Sequence, residues 1–170
     1  RNIPDSVLAR LPANGGVVMV VGLPAFLDET VRRHQADLAA EEARLKSLWR
    51  GDPGEVARGL AIWRQANPVP VATVADWADH IDHVRRIAGI DAVGLGGDYD
   101  GMPSGPQGAE DVSGYPALFT ELARRGYSQA DLEKIASRNI LRVLRTAEAH
   151  AAGQKGAPPF ETPHVGAGER

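Results

Sequence analysis

The sequence contains no cysteine, which excludes disulfides and thiolate metal sites; a chain without thiols can reside in any compartment. It also lacks an excess of charge of either sign. Lys and Arg number 19 against 22 Asp and Glu, a formal charge of -3, too balanced for the electrostatic footprint of a nucleic-acid binder. No window approaches the run of roughly 18 apolar residues that a spanning helix requires. An initiating Met and a basic-then-apolar leader are missing too: the chain opens on Arg1-Asn2-Ile3-Pro4-Asp5, which reads as a fragment or a processed product. No internal repeat or low-complexity array is present.

What is present is a hydrophobic content of 43% over 170 residues, enough to bury a core. Gly15-Gly16 leads into Val17-Val18-Met19-Val20-Val21, a β-branched run that predicts a strand buried on both faces, as in a parallel sheet. Residues 28 to 49 are rich in Ala, Leu, Glu and Arg without Pro or Gly, a strongly helical composition. Asp52, Pro53 and Glu55 start a second helix that ends near Asn67. Thr73 and Asp76 cap a third, with Val74, Trp77, Ile81, Val84 and Ile87 on one face and Gly89 as its stop. Residues 90 to 95 form a second buried strand, followed by the turn Gly96-Gly97-Asp98-Tyr99-Asp100-Gly101. Further helices begin near Ser113 and Ser128, the latter with Asp131 placed for a capping box, and a last one spans Ile140 to Leu144. From Ala151 the chain is Gly- and Pro-rich, which reads as a mobile tail, so the body is 1–149 and the tail 150–170.

Strand, helices, strand, helices in this order imply right-handed parallel crossovers. Two such strands expose apolar faces and unpaired edges, so partner strands are expected from elsewhere. In parallel α/β folds the active site collects at the carboxyl ends of the strands, which makes the turn after the second strand the first place to look. There Asp98 is the leading candidate, flanked by glycines that allow a sharp turn and leave room for a ligand. Spacing alone leaves open a plain turn in which Asp98 and Asp100 bond nearby amides. A dinucleotide fingerprint fails because Tyr99 stands where the third glycine belongs, and an EF-hand loop loses its pattern after the second acid. His80 and His83 lie one helical turn apart, a spacing that admits a metal ion, but their position within a crossover helix favours packing contacts through hydrogen bonds to backbone. His34, His150 and His164 are isolated and expected to face solvent. Ser113 and Ser128 read as helix caps, with no His and acid to make either a nucleophile.

Five segments occur in order: Arg1-Asn2-Ile3-Pro4-Asp5, Gly16-Val17-Val18-Met19-Val20, Asp79-His80-Ile81-Asp82-His83, Gly94 to Gly101, and Tyr115-Pro116 through Arg138-Asn139. Together they resemble the C-terminal region of the membrane (renal) dipeptidase family of metallopeptidases, from Arg1 to about Ala147. The resemblance implies an α/β fold that is the C-terminal part of a (β/α)8 TIM-type barrel. It further implies a two-zinc site hydrolysing dipeptides, some with a D-residue at the C-terminal side, and a homodimer. The family's zinc ligands lie on earlier strands, so none is assigned to this chain. By position, Arg1 matches the arginine that holds the substrate carboxylate, a task suited to a guanidinium. Asp98 matches the acid that meets the substrate's amino end and donates a proton to the leaving amine. Phe26 falls where a bulky side chain lines the pocket, a position equally compatible with plain packing. Tyr99 stands where the family usually has Phe, and the residues after Val20 depart from the commonest pattern, which bears on side-chain preference. The competing reading is a truncated or degenerate product with a structural or partner-binding role.

Overall fold

Two short strands, β1 (Val18–Val21) and β2 (Val93–Gly96), run parallel, with Val18 opposite Val93 and Val21 opposite Gly96. They are seen in a computed structural model that describes residues 2–156. Parallel pairing demands a long crossover, and four helices supply it: α3 (Pro24–Leu27), α4 (Glu29–Leu48), α5 (Pro53–Ala66) and α6 (Val74–Ala88). Before β1 come two single-turn helices, α1 (Asp5–Leu8) and α2 (Leu11–Asn14); after β2 come α7 (Tyr115–Arg124), α8 (Gln129–Glu133) and α9 (Asn139–Gly153). The fold is therefore mixed α/β, rich in helix around a small parallel sheet.

The helix starts follow the sequence closely. Asp28 accepts hydrogen bonds from the Thr30 and Val31 amides, Asp52 from the Glu55 amide, and Thr73 with Asp76 forms a complete capping box. Such caps satisfy amides that the helix itself cannot, each contributing about 1 kcal/mol. Ser128 and Asp131 form the second box, as expected. At Ser113 the roles are reversed: Asp111 is the acceptor, taking the Ser113 amide at 2.8 Å, and a 3₁₀ turn over Val112–Gly114 precedes α7. Pro116 has no N–H for a Ser113 cap to serve, and the Ser113 hydroxyl instead donates to Asp111.

The core lies where α6 crosses the sheet. Trp77, Ala78, Ile81, Val84 and Ala88 bury one stripe of α6 against Val20 and Val93, with Leu118, Leu122 and Ile135 closing the far side. Truncating a fully buried side chain such as Trp77 costs about 3–5 kcal/mol. The Trp77 indole N–H donates to the Val20 carbonyl at 3.1 Å, and Gly22 lets the ring approach, since a Cβ there would sit 2.9 Å from it.

Two strand expectations are corrected. Residues 90–92 form a 3₁₀ turn instead of strand, and Asn139, a buried polar side chain, holds this turn at the start of β2 by donating to the Ile90 and Val93 carbonyls at 2.7 and 2.8 Å. The β1 strand is covered on one face only: Val20 is buried, whereas Met19 on the opposite face is 39% exposed and leans across Gly94. Helices pack on the Val20 face, and among the described residues each strand has one unpaired edge. Arg142 completes the base of the sheet by donating to the carbonyls of Gly15 and Asp91, just before each strand. Helix α9 runs through residue 149 to Gly153; Ala157 to Arg170, most of the segment expected as a tail, lie outside the described residues.

Candidate functional site at the carboxyl ends of the strands

Strand β2 ends at Gly96, and two residues later the chain enters a conformation that L-residues rarely adopt: Asp98 has φ +57°, and no other described residue apart from glycine has a positive φ. The turn closes with the Gly101 amide donating to the Asp98 carbonyl at 2.9 Å. The Asp98 side chain is exposed at the strand's carboxyl end, and among the described residues no side-chain hydrogen bond holds its carboxylate. It is available to an incoming cation or amine. Asp100, also exposed, shares the turn.

The flanking glycines make space for the protein's own groups, where room for a ligand was expected. A Cβ at Gly101 would lie 2.5 Å from the Asp98 carboxylate, and one at Gly97 would lie 2.5 Å from the Tyr115 hydroxyl and 2.9 Å from the Tyr99 ring. Tyr99 and Tyr115 meet edge to face, with centroids 5.8 Å apart, and Tyr115 in turn packs on Trp77 at 6.0 Å. Burial raises the pKa of both phenols, so they remain neutral hydrogen-bond groups.

Phe26 lies elsewhere. It follows β1 on α3 and lines a cleft of about 460 Å³ along the free edge of that strand, together with Leu8, Met19, His80 and Val84; Asp98 is not part of this cleft. Asn2 also lines it and donates to the Phe26 carbonyl at 3.2 Å, so the chain just after residue 1 is tied to the loop beyond the carboxyl end of β1. Arg1 itself lies outside the described residues. Parallel pairing of β1 with β2 thus brings the Phe26 loop and the Asp98 turn to the same end of the sheet, on neighbouring strands.

The imidazoles are engaged in packing. His80 Nε2 bonds to the Leu27 carbonyl at 3.0 Å, joining α6 to α3. His83 Nε2 lies 2.7 Å from an Asp5 carboxylate oxygen and its Nδ1 lies 2.8 Å from the Arg86 guanidinium. A guanidinium only donates, so Nδ1 accepts and the proton that Asp5 receives is on Nε2. A cation at Nδ1 and a bonded Nε2 leave no lone pair for a metal. Among the described residues no three carboxylates, imidazoles or thiols come together as a metal site, so no metal-dependent step is assigned to them. His34 departs from expectation: it is half-buried, with its ring 5.2 Å from Trp63 across the α4–α5 hairpin. His150 is exposed, and His164 lies outside the described residues.

Asp79 and Asp82, in the same motif as the histidines, serve α7. Both accept from Arg125, at 2.5 and 2.7 Å, and Asp82 also accepts from the Tyr127 hydroxyl at 2.7 Å. Arg125 donates besides to Glu121 and to the Ala75 carbonyl. Burial opposes its charge, but Glu121, Asp82 and Asp79 together hold its pKa above the usual value. Arg124 and Arg125 in turn pull the Glu121 carboxyl from the ordinary 4.5 to about 2.

In parallel α/β folds ligands and chemistry gather at the carboxyl ends of the strands, and this chain has its exposed acid on a turn leaving a strand at that end. Comparison with known proteins places it: residues 1–157 match the membrane dipeptidase family, peptidase family M19, and the chain belongs to that family. Dipeptidase tcpJ of Claviceps purpurea is 36% identical over 159 residues, covering 94% of this chain and 28% of that protein. Dipeptidase 3 of Rattus norvegicus is 35% identical over 160 residues, 94% of this chain and 25% of its own length. The chain thus spans about a quarter of the curated relatives it matches. Among solved structures, the probable dipeptidase PvdM from Pseudomonas aeruginosa superposes with a TM-score of 0.61 at 32% identity, over 84% of this chain and 40% of that one. A metallopeptidase from Rhodobacter sphaeroides, liganded with a phosphinate mimic of the dipeptide L-Ala-D-Ala, does so with a TM-score of 0.57 at 26% identity, over 85% and 31%.

Proposed function

We propose that this chain is the C-terminal portion of a zinc-dependent dipeptidase, contributing the last two strand–helix units of a (β/α)8 barrel and part of its substrate-facing rim. The free strand edges support this reading: the cleft along β1 is apolar, strand-lined and bordered by α6, as a seat for a preceding strand and helix must be. Residues 1–149 belong to the barrel on this reading. Two zinc ions, held by residues outside this chain, would polarise the scissile carbonyl and supply the nucleophile, and the whole enzyme is a homodimer.

The observation that carries the assignment is Asp98, an exposed carboxylate on a left-handed backbone at the carboxyl end of β2. A carboxylate there would pair with the ammonium end of a dipeptide and, by taking up the proton lost by the attacking water, relay it to the amine nitrogen as the peptide bond breaks. Arg1 grips the opposite, carboxylate end, the role that its match to the family's sequence pattern implies. A cation and an anion at a fixed separation measure a substrate of two residues, and Phe26 contributes an apolar wall. The phosphinate mimic bound by the R. sphaeroides relative supports substrates of the L-Ala-D-Ala type.

The test is Asp98→Asn in the full-length protein, which keeps size and hydrogen bonding but removes charge and proton exchange. Turnover of a free dipeptide should fall by about two orders of magnitude or more with metal content unchanged, while Asp100→Asn does much less. Near-normal turnover in Asp98→Asn, or a defect explained wholly by lost metal, would sink the assignment.

A further inference from the structure

Asp98 occupies a backbone conformation that its own turn does little to enforce. One backbone hydrogen bond, Gly101 to Asp98, closes the turn, and among the described residues the Asp98 carboxylate has no hydrogen-bonding partner to pin it. Left-handed non-glycine residues persist only where the surroundings over-determine them. Here the surroundings are aromatic. Trp77, fully buried and bonded to the β1 backbone at Val20, supports Tyr115; Tyr115 supports the edge of Tyr99; and both tyrosines press on Gly97, the residue before Asp98.

The far end of Tyr99 is tied as well. Its hydroxyl donates to the Ala109 carbonyl at 3.3 Å, and Ala109 is fully buried. The segment holding Ala109 is stitched to the start of α6 through Gln107, whose amide donates to Ala72 and whose carbonyl accepts from Val74. Tyr99 is thus clamped between the sheet-borne aromatic row and a loop fixed to α6, with the strained residue immediately before it in sequence.

We propose that Tyr99 and Tyr115 are positioning residues: they hold residue 98 in its left-handed conformation and so aim its carboxylate. Neither is assigned contact with substrate. The claim about the turn stands on the geometry, and its consequence for turnover rests on the dipeptidase reading of Asp98.

The experiment compares Tyr99→Leu, Tyr115→Leu and Tyr99→Phe in the full-length protein, reading hydrogen exchange at the Gly101 amide, which reports the turn directly, alongside kcat and KM on a free dipeptide. Both Leu variants should speed Gly101 exchange about tenfold while amides of α6 keep their protection, and lower kcat about tenfold with KM changed less than about threefold. Tyr99→Phe, which loses only the bond to Ala109, should show about a third of the exchange effect on a logarithmic scale. Glycine accepts positive φ without strain, so in an Asp98→Gly background the effect of Tyr99→Leu on Gly101 exchange should shrink. Unchanged Gly101 exchange in both Leu variants, or a rise matched throughout α6, overturns the proposal. Faster exchange confined to the turn with unaltered kcat supports the positioning role and counts instead against Asp98 as the proton donor. If a Leu variant does not fold, Tyr99→Phe decides: no change in Gly101 exchange overturns the role assigned to Tyr99.

Discussion

Asp98 carries its carboxylate on a backbone that costs about 1–3 kcal/mol for most residues to adopt, although aspartate tolerates it better than larger side chains. The gain is direction: a positive φ turns the chain at the strand's end and leaves the acid exposed beyond it. Gly97 and Gly101 are needed for steric reasons, one clearing the tyrosines and the other clearing Asp98 itself. The histidines present the opposite case, side chains rich in chemical possibility that the structure spends on packing. Because His80 and His83 bind Leu27 and Asp5, replacing either by Gln in the full-length protein should leave metal content unchanged and lower stability by about 1 kcal/mol at most. Atomic absorption on the purified variants is the check; loss of a metal ion from either would move that residue from packing to ligation.

Helix α6 is the element on which the rest is hung. One face buries the core stripe, and its polar positions reach three neighbours: Asp5 of α1 through His83, Leu27 of α3 through His80, and Arg125 following α7 through Asp79 and Asp82. The last of these gives a pH dependence with a definite sign. Glu121, which helps orient Arg125, has its pKa lowered from 4.5 to about 2 by Arg124 and Arg125. A depressed carboxylate contributes stability that is fully present above its unfolded value and is lost as pH falls through the folded one. The contribution of Glu121 should therefore be intact above pH 4.5 and disappear toward pH 2. Glu121→Gln in the full-length protein should show a shallower fall of the urea midpoint between pH 4.5 and pH 2; a slope equal to that of the unmodified protein would remove Glu121 from the network.

At the scale of the whole fold, the governing fact is that the described residues form a two-stranded sheet with an open face and two free edges. Parallel sheets normally carry cover on both faces, and Met19 at 39% exposure shows where cover is missing from this chain. The described residues also provide no group of metal ligands. Produced alone, the 170-residue chain should hold no zinc stoichiometrically and hydrolyse no dipeptide, since the proposed reaction needs metals whose ligands are not gathered among its described residues. Two tightly held zinc ions in the purified chain would contradict this and would require ligands other than those assigned by family. No helix among the described residues is long and apolar enough to cross a membrane.

The sequence by itself determined what depends on neighbours along the chain. The helices starting at Asp52, Thr73 and Ser128 are legible because a cap and the amide it serves lie within three residues of each other, and the helix from Asp28 is legible from its composition. The turn holding Asp98 was legible because its glycines flank it, and the family because its motifs run in order. Tertiary structure decided whatever depends on residues far apart. Nothing near Ile90 announces that Asn139 will take its carbonyl across 49 positions, and local pattern alone starts the strand at residue 90 instead of Val93. Nothing near Gly97 shows that Tyr115 and Tyr99 fill the space its missing side chain leaves, and local pattern alone offers that space to a ligand. Long-range hydrogen bonds and excluded volume are settled in three dimensions: a distant donor such as Asn139 fixes a turn that local pattern does not foresee, and a space already filled cannot hold a substrate.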